Sequence, residues 1–103
     1  MELYYYSHRY RAPDPDVQAA NLSRAEERLA LMRAHHPDLC IVAPWIELAL
    51  VGAPDHLAWR LIRATITCCD VILLDHDGAP PSDGMRLEEE LARQAGLRVQ
   101  VVS

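Results

Sequence analysis

The sequence predicts an α/β domain in which a parallel sheet of four to five strands lies between helices on both faces. Three observations point there. Short apolar runs without polar alternation, at residues 3–6, 39–43 and 71–74, read as buried strands, and residues 99–102 as a last strand. Segments of helical periodicity separate them, and every connection is too long for a hairpin. The 103 residues hold one such domain and little more.

The first strand, residues 3–6, is aromatic and apolar throughout, as an interior strand should be. A polar, Arg-bearing loop, residues 7–13, follows it. Asp14 and Pro15 supply a cap and a first-turn proline for a helix. Val17, Leu22, Ala25, Leu29 and Met32 then recur at helical spacing as far as about His35, where His36-Pro37-Asp38 breaks the pattern. The second strand, 39–43, ends at Pro44, and residues 44–48 continue as a loop or a short helix.

Pro54 and Asp55 open the next helix, with Ala58, Leu61, Ile62, Thr65, Ile66 and Cys69 expected on its inner side. Asp70 introduces the third strand, 71–74. The loop 75–83, with two Pro and three Asp, is expected to be exposed. Ser82 or Asp83 caps the last helix, Gly96 ends it, and residues 99–102 form the last strand. No repeat, linker or low-complexity segment interrupts the order.

Composition narrows the partners. The net charge is −5, and all ten basic residues are Arg, scattered among 15 acidic ones. That distribution does not suit a nucleic-acid duplex, whereas planar guanidinium groups suit a small phosphate or carboxylate ligand. Three cysteines without a CxxC spacing give neither a disulfide framework nor a zinc site, and all three are expected in buried positions as core residues. No motif calls for a cofactor. The N-terminal residues lack the pattern of a secretory signal, and no apolar run approaches the ~18 residues of a membrane span. The reading is a cytoplasmic protein with no membrane partner.

The chemistry concentrates between Ser82 and Gly96. Gly84, Glu88, Leu91 and Ala95 share a face at i, i+4 and i+7, so Glu88 turns partly toward the sheet. Glu89 and Glu90 fall outside that stripe and read as solvated. A carboxylate early in this helix lies near the carboxyl ends of the strands, where open α/β sheets bind ligands. Asp75, His76 and Asp77 with Cys68 and Cys69 do not make a metal site, because a strand length separates the two groups. His35 and His36 suit the negative end of their helix.

The pattern S-x-G-M-x-x-E-x-x-x-A-x-x-x-G, here Ser82, Gly84, Met85, Glu88, Ala92 and Gly96, resembles the catalytic segment of the nucleoside 2-deoxyribosyltransferase-like superfamily. More narrowly, the chain looks like a small bacterial and phage branch of it. The further pieces are the Tyr4 to Tyr6 strand, Pro44-Trp45, the helix carrying Arg60 and Arg63, Cys69-Asp70 and the following apolar strand. The resemblance runs over nearly the whole chain and implies a flavodoxin-like or Rossmann-like three-layer fold. It also implies an attack with retention at the anomeric carbon of a nucleoside or nucleoside 5′-monophosphate, with Glu88 as nucleophile. Tyr5 or Tyr4 would orient Glu88. Ser82 and Gly84 would receive a 5′-phosphate at the helix N-terminus. Ser7, His8, Arg9 and Trp45 would line the ligand, and Arg11, Arg60 and Arg63 are further candidate phosphate grips. Domains of this type commonly complete their sites in a homodimer.

Two departures stand out. The first loop is Ser7-His8-Arg9-Tyr10-Arg11 where relatives carry Gly and often Pro, so side chains replace bare backbone near the ligand. Ile62 occupies the position of the Asp that protonates the leaving base; Glu47, Asp75 and His8 are the replacements the chain offers. The expectation is therefore double: a hydrolase or transferase acting on an N-glycosidic bond, or a non-catalytic nucleotide-binding module that uses the same pocket as sensor or sponge.

Overall fold

The computed structural model describes residues 1–102. Its elements are β1 (Leu3–Ser7), α1 (Pro15–His35), β2 (Cys40–Val42), α2 (Pro44–Leu50), α3 (Asp55–Cys68), β3 (Val71–Asp75), α4 (Asp83–Gln94) and β4 (Arg98–Val102). Four strands, all parallel, form one sheet in the order β2-β1-β3-β4. This is a doubly wound, flavodoxin-like order. The chain leaves β1 toward one edge and returns across it to β3, so the switch point lies between β1 and β3.

Side-chain alternation along β1 divides the two faces. Tyr6 reaches Asp75 and, through it, Arg28 of α1, whereas Tyr5 and Ser7 reach Glu88 of α4. Helix α1 therefore covers one face and α4, with its neighbour α3, the other, as right-handed crossovers require. All five residues of β3 are buried, as are Tyr5, Tyr6 and Ser7 of β1, because these two central strands are covered on both faces.

Local signals place the helix ends. The Asp14 carboxylate accepts from the Asp16 N–H at 2.9 Å and Pro15 opens α1. At the end of α4, Gly96 takes φ +82°, and the Leu97 and Gly96 N–H groups return to the Ala92 and Arg93 carbonyls, a Schellman closure that folds buried Leu97 back onto the core.

Several expectations need correction. The second strand spans three residues rather than five, since Pro44 already belongs to α2. Residues 44–50 are a helix, with Trp45 and Ile46 buried. Leu61 is half exposed: the buried stripe of α3 is the narrower Ala58, Ile62, Ile66. Of the cysteines only Cys69 is buried; Cys40 is half-buried and Cys68 exposed at the end of α3. Asp75, expected in an exposed loop, is the fully buried last residue of β3, because Tyr6 and Arg28 satisfy it there.

Candidate functional site

Helix α4 starts where Ser82 stops the chain in an extended conformation and turns its hydroxyl onto the Met85 N–H at 3.3 Å. From that start, Met85, Glu88 and Ala92 face inward, and burial of Met85 and Ala92 draws Glu88 down with them. Its carboxylate meets the sheet over β1. The Tyr5 hydroxyl donates to Oε2 in a short hydrogen bond, and the Ser7 hydroxyl donates to Oε1 at 2.9 Å. Tyr5, not Tyr4, orients the carboxylate, since Tyr4 lies on the opposite face of the strand.

Glu88 is 6% exposed. Burial pushes its pKa up to about 7, against the pull of the Tyr5 and Ser7 hydrogen bonds. Among the described residues no Arg or His pairs with it. Burial, and then the neighbouring Glu88 charge, raise the Tyr5 phenol well above its ordinary value, so this hydroxyl stays a donor throughout the pH range of the protein.

Glu88 forms part of the wall of a cleft of about 740 Å³ at the carboxyl ends of the strands. One side of the cleft is the N-terminal end of α4 with Ser82, Gly84 and Arg86. The other is the face of α3 carrying Asp55, Ala58, Trp59 and Ile62, at i, i+3, i+4 and i+7. His8, Tyr10 and Trp45 close the end nearest the sheet. Trp45 is held by its indole N–H, which donates to the Tyr6 carbonyl at 2.8 Å, and Tyr10 packs against it at a ring separation of 6.0 Å. At the mouth Arg11 and Asp55 pair at 2.7 Å across the gap between the first loop and α3. The first N–H groups of α4 have no intrahelical partner. A Cβ built on Gly84 meets no atom nearer than Ser82 Oγ at 4.0 Å, so the protein itself leaves this space open.

The expected residues thus divide. Glu88, Ser82, Gly84, His8 and Trp45 meet at the cleft, and Tyr5 and Ser7 stand behind Glu88 as its supports. Arg9, expected at the ligand, turns away: its guanidinium donates to the carbonyls of His76 and Asp77 at 2.7 and 2.8 Å. Arg60 and Arg63 are not part of the wall, whereas Arg11 is. Among the candidate acids, Asp75 faces α1 on the far side of the sheet and Glu47 lines a separate groove beside Leu3 and Cys69. Only His8 reaches the cleft, and both its ring nitrogens are engaged, with the Arg9 carbonyl at 2.8 Å and with Asp77 at 3.1 Å. Sequence reading placed Tyr10 near the ligand only as part of the altered first loop, and it missed Asp55, Trp59 and Arg86. The helical spacing of Asp55 and Trp59 with Ile62, the position already singled out on α3, was the signal for those two.

On the opposite face of the sheet lies a second set of carboxylates. Arg28 grips Asp75 with two hydrogen bonds of 2.6 and 2.7 Å, and Tyr6 donates to it at 2.6 Å. Asp77, at φ +47°, is held by Arg24, Arg28, Arg9 and His8, and the Arg24 hydrogen bonds above all keep it well below the usual carboxylate range. Among the described residues, no group of three His, Cys, Asp or Glu is arranged to hold a metal ion, and no helix is long and apolar enough to cross a membrane. No family model matches the chain, and no curated protein matches it.

Proposed function

We propose that the protein acts on the N-glycosidic bond of a nucleoside or nucleoside 5′-monophosphate, as a hydrolase or transferase with Glu88 as nucleophile. One observation carries the reading: a buried carboxylate, steadied by two hydroxyl donors and left without a cation, in the wall of a cleft at the β1/β3 switch point. A carboxylate in that setting is stabilised by a positive charge that arises opposite it, which is what an anomeric carbon develops as its base departs.

In the first step a Glu88 oxygen bonds to the anomeric carbon, and the C–N bond electrons leave with the base, which takes a proton from solvent water. Water or a second base then bonds to the anomeric carbon, gives up a proton to solvent and displaces Glu88 from the sugar, restoring the carboxylate. Tyr5 and Ser7 stay as donors and fix the attacking oxygen. Trp45, Tyr10 and Trp59 offer flat surfaces for the base. The free N–H groups of α4 beside Ser82, with Arg86, suit a 5′-phosphate.

A second reading, a nucleotide-binding module without turnover, draws on His8: the one replacement acid that reaches the cleft has both ring nitrogens engaged. Incubation with a panel of ribo- and deoxyribonucleosides and their monophosphates separates the two. Turnover predicts free base from the wild type and none from Glu88→Ala. Binding without base release from any member of the panel selects the module.

A further inference from the structure

The mouth of the cleft holds a polar pair that the fold does not need. The Arg11 Nη2–H donates to Asp55 Oδ1 at 2.7 Å, and both side chains are more than half exposed. An exposed ion pair of this kind adds little to stability. Asp55 opens α3 and suits the positive end of that helix, but this role needs no partner and no cleft. Among the described residues, Asp55 Oδ2 accepts no hydrogen bond and Arg11 donates no other. The pair therefore offers a free carboxylate oxygen beside free guanidinium N–H groups. Along α3 the cleft wall runs two turns, about 10 Å, from buried Ile62 past Ala58 out to Asp55. Tyr10, Trp45 and Trp59 supply flat surfaces in the same cleft, and the Arg11 guanidinium lies 5.8 Å from the Tyr10 ring centre. Aromatic surfaces with a donor and an acceptor at their outer end are the means by which an unstacked nucleobase is held and read.

We propose that Arg11 and Asp55 read the edge of the base in this cleft and select guanine. The inference rests on the nucleotide reading of the cleft and adds which base it takes. With the sugar at Glu88 and a 5′-phosphate at the start of α4, the base falls to the remaining side, between the first loop and α3. A carboxylate presents two acceptor oxygens side by side. Among the common bases only guanine offers two N–H donors side by side, N1–H and the N2 amine, with the O6 acceptor next to them. Asp55 accepts from N1 and N2, and Arg11 donates to O6 while keeping its bond to a second lone pair of Oδ1. Adenine and cytosine bring a single amino donor, next to a ring-nitrogen acceptor that meets the second carboxylate oxygen. Uracil sets a carbonyl on each side of its one N–H, so a carbonyl opposes the carboxylate. Acceptors facing acceptors repel and stay unpaired, and this separates the bases. Neither residue bonds to Glu88, so the selection does not depend on whether the bound nucleotide turns over.

Both tryptophans of the chain, Trp45 and Trp59, line the cleft, so tryptophan fluorescence reports its occupancy. The full chain is titrated with GMP, IMP, AMP, CMP and UMP by stopped flow, which reads binding ahead of any base release. GMP should bind about tenfold tighter than IMP, which lacks the N2 amine, and AMP, CMP and UMP should be weaker still. Asp55→Asn, with folding checked by circular dichroism, should cost GMP about tenfold, remove its lead over IMP and leave AMP no weaker. Arg11→Gln should weaken GMP and IMP together, through the lost donor to O6, and keep GMP ahead of IMP. A loss spread evenly over the panel in Asp55→Asn marks the pair as a structural strap and overturns the proposal. A guanine preference that survives Asp55→Asn, or a preference for another base, overturns it too. Binding without any preference overturns it and leaves the nucleotide site standing, whereas a panel that does not bind at all overturns both readings.

Discussion

Two buried carboxylates, Asp75 and Glu88, sit back to back across the same sheet, and they are handled in opposite ways. On the α1 face, Asp75 and Asp77 share Arg9, Arg24, Arg28 and His8, so their charge is matched and fixed. On the α4 face, Glu88 has only two neutral hydroxyl donors among the described residues. Paired charges are stable and spent; an unpaired one stays available for a positive charge that comes from outside. Burial thus leads to a structural clamp around Asp75 on one side and an uncompensated carboxylate at Glu88 on the other. The clamp also serves the site, because Arg9, His8 and Asp77 tie the first loop to the segment that leads into Ser82.

The largest expected effect breaks the paired side. Arg28→Met leaves Asp75 buried without its partner and should cost about 3–5 kcal/mol of stability in chemical denaturation. Arg28→Met with Asp75→Leu should recover much of that loss, which shows whether the unpaired charge is the cause.

The unpaired side should behave in reverse. The pKa of Glu88 in the folded state, about 7, lies above the ~4.3 of an unfolded chain. Between those values the folded state binds more protons, so this group lowers stability as pH rises from about 4.3 to 7, by roughly 3–4 kcal/mol in full. Glu88→Gln should therefore stabilise the protein at pH 8 and have little effect at pH 4, read from thermal unfolding. Asp77 has the opposite sign: its contribution is present above the ordinary carboxylate pKa and fades as pH falls below it. If base is released, its rate should rise with pH to a plateau above about 7, as Glu88 ionises.

Smaller changes sharpen the contrast. Tyr5→Phe removes a donor to the ionised carboxylate and should move that pH limb upward, with about 1.5–3 kcal/mol lost from the charged form; an unmoved limb would separate Tyr5 from the chemistry. Gly84→Ala should raise stability by roughly 0.5–1 kcal/mol, because nothing in the protein needs glycine in that turn. The same methyl group should weaken nucleotide binding in calorimetry if the space beside Ser82 belongs to a ligand.

Much of this architecture was legible in the residues. Continuous apolar runs at residues 3–6 and 71–74 announced central parallel strands, and Asp14-Pro15, Ser82 and Gly96 marked helix ends through local capping that needs no distant partner. The i, i+4 relation of Gly84 and Glu88 pointed Glu88 inward. Other features depended on contacts across the chain. Asp75 looked like loop because its burial depends on Arg28, 47 residues away, and Arg9 looked like a ligand grip until its guanidinium closed on the carbonyls of His76 and Asp77.

By itself, then, the sequence determined the order of strands and helices, the ends of α1 and α4, and the inward aim of Glu88, since each depends on neighbours within a turn or two. Only the tertiary structure decided which tyrosine holds Glu88 and which carboxylates are neutralised. Those outcomes depend on charges and hydrogen-bonding groups that are far apart in the chain and come within 3 Å only when β1, β3, α1 and α4 pack together.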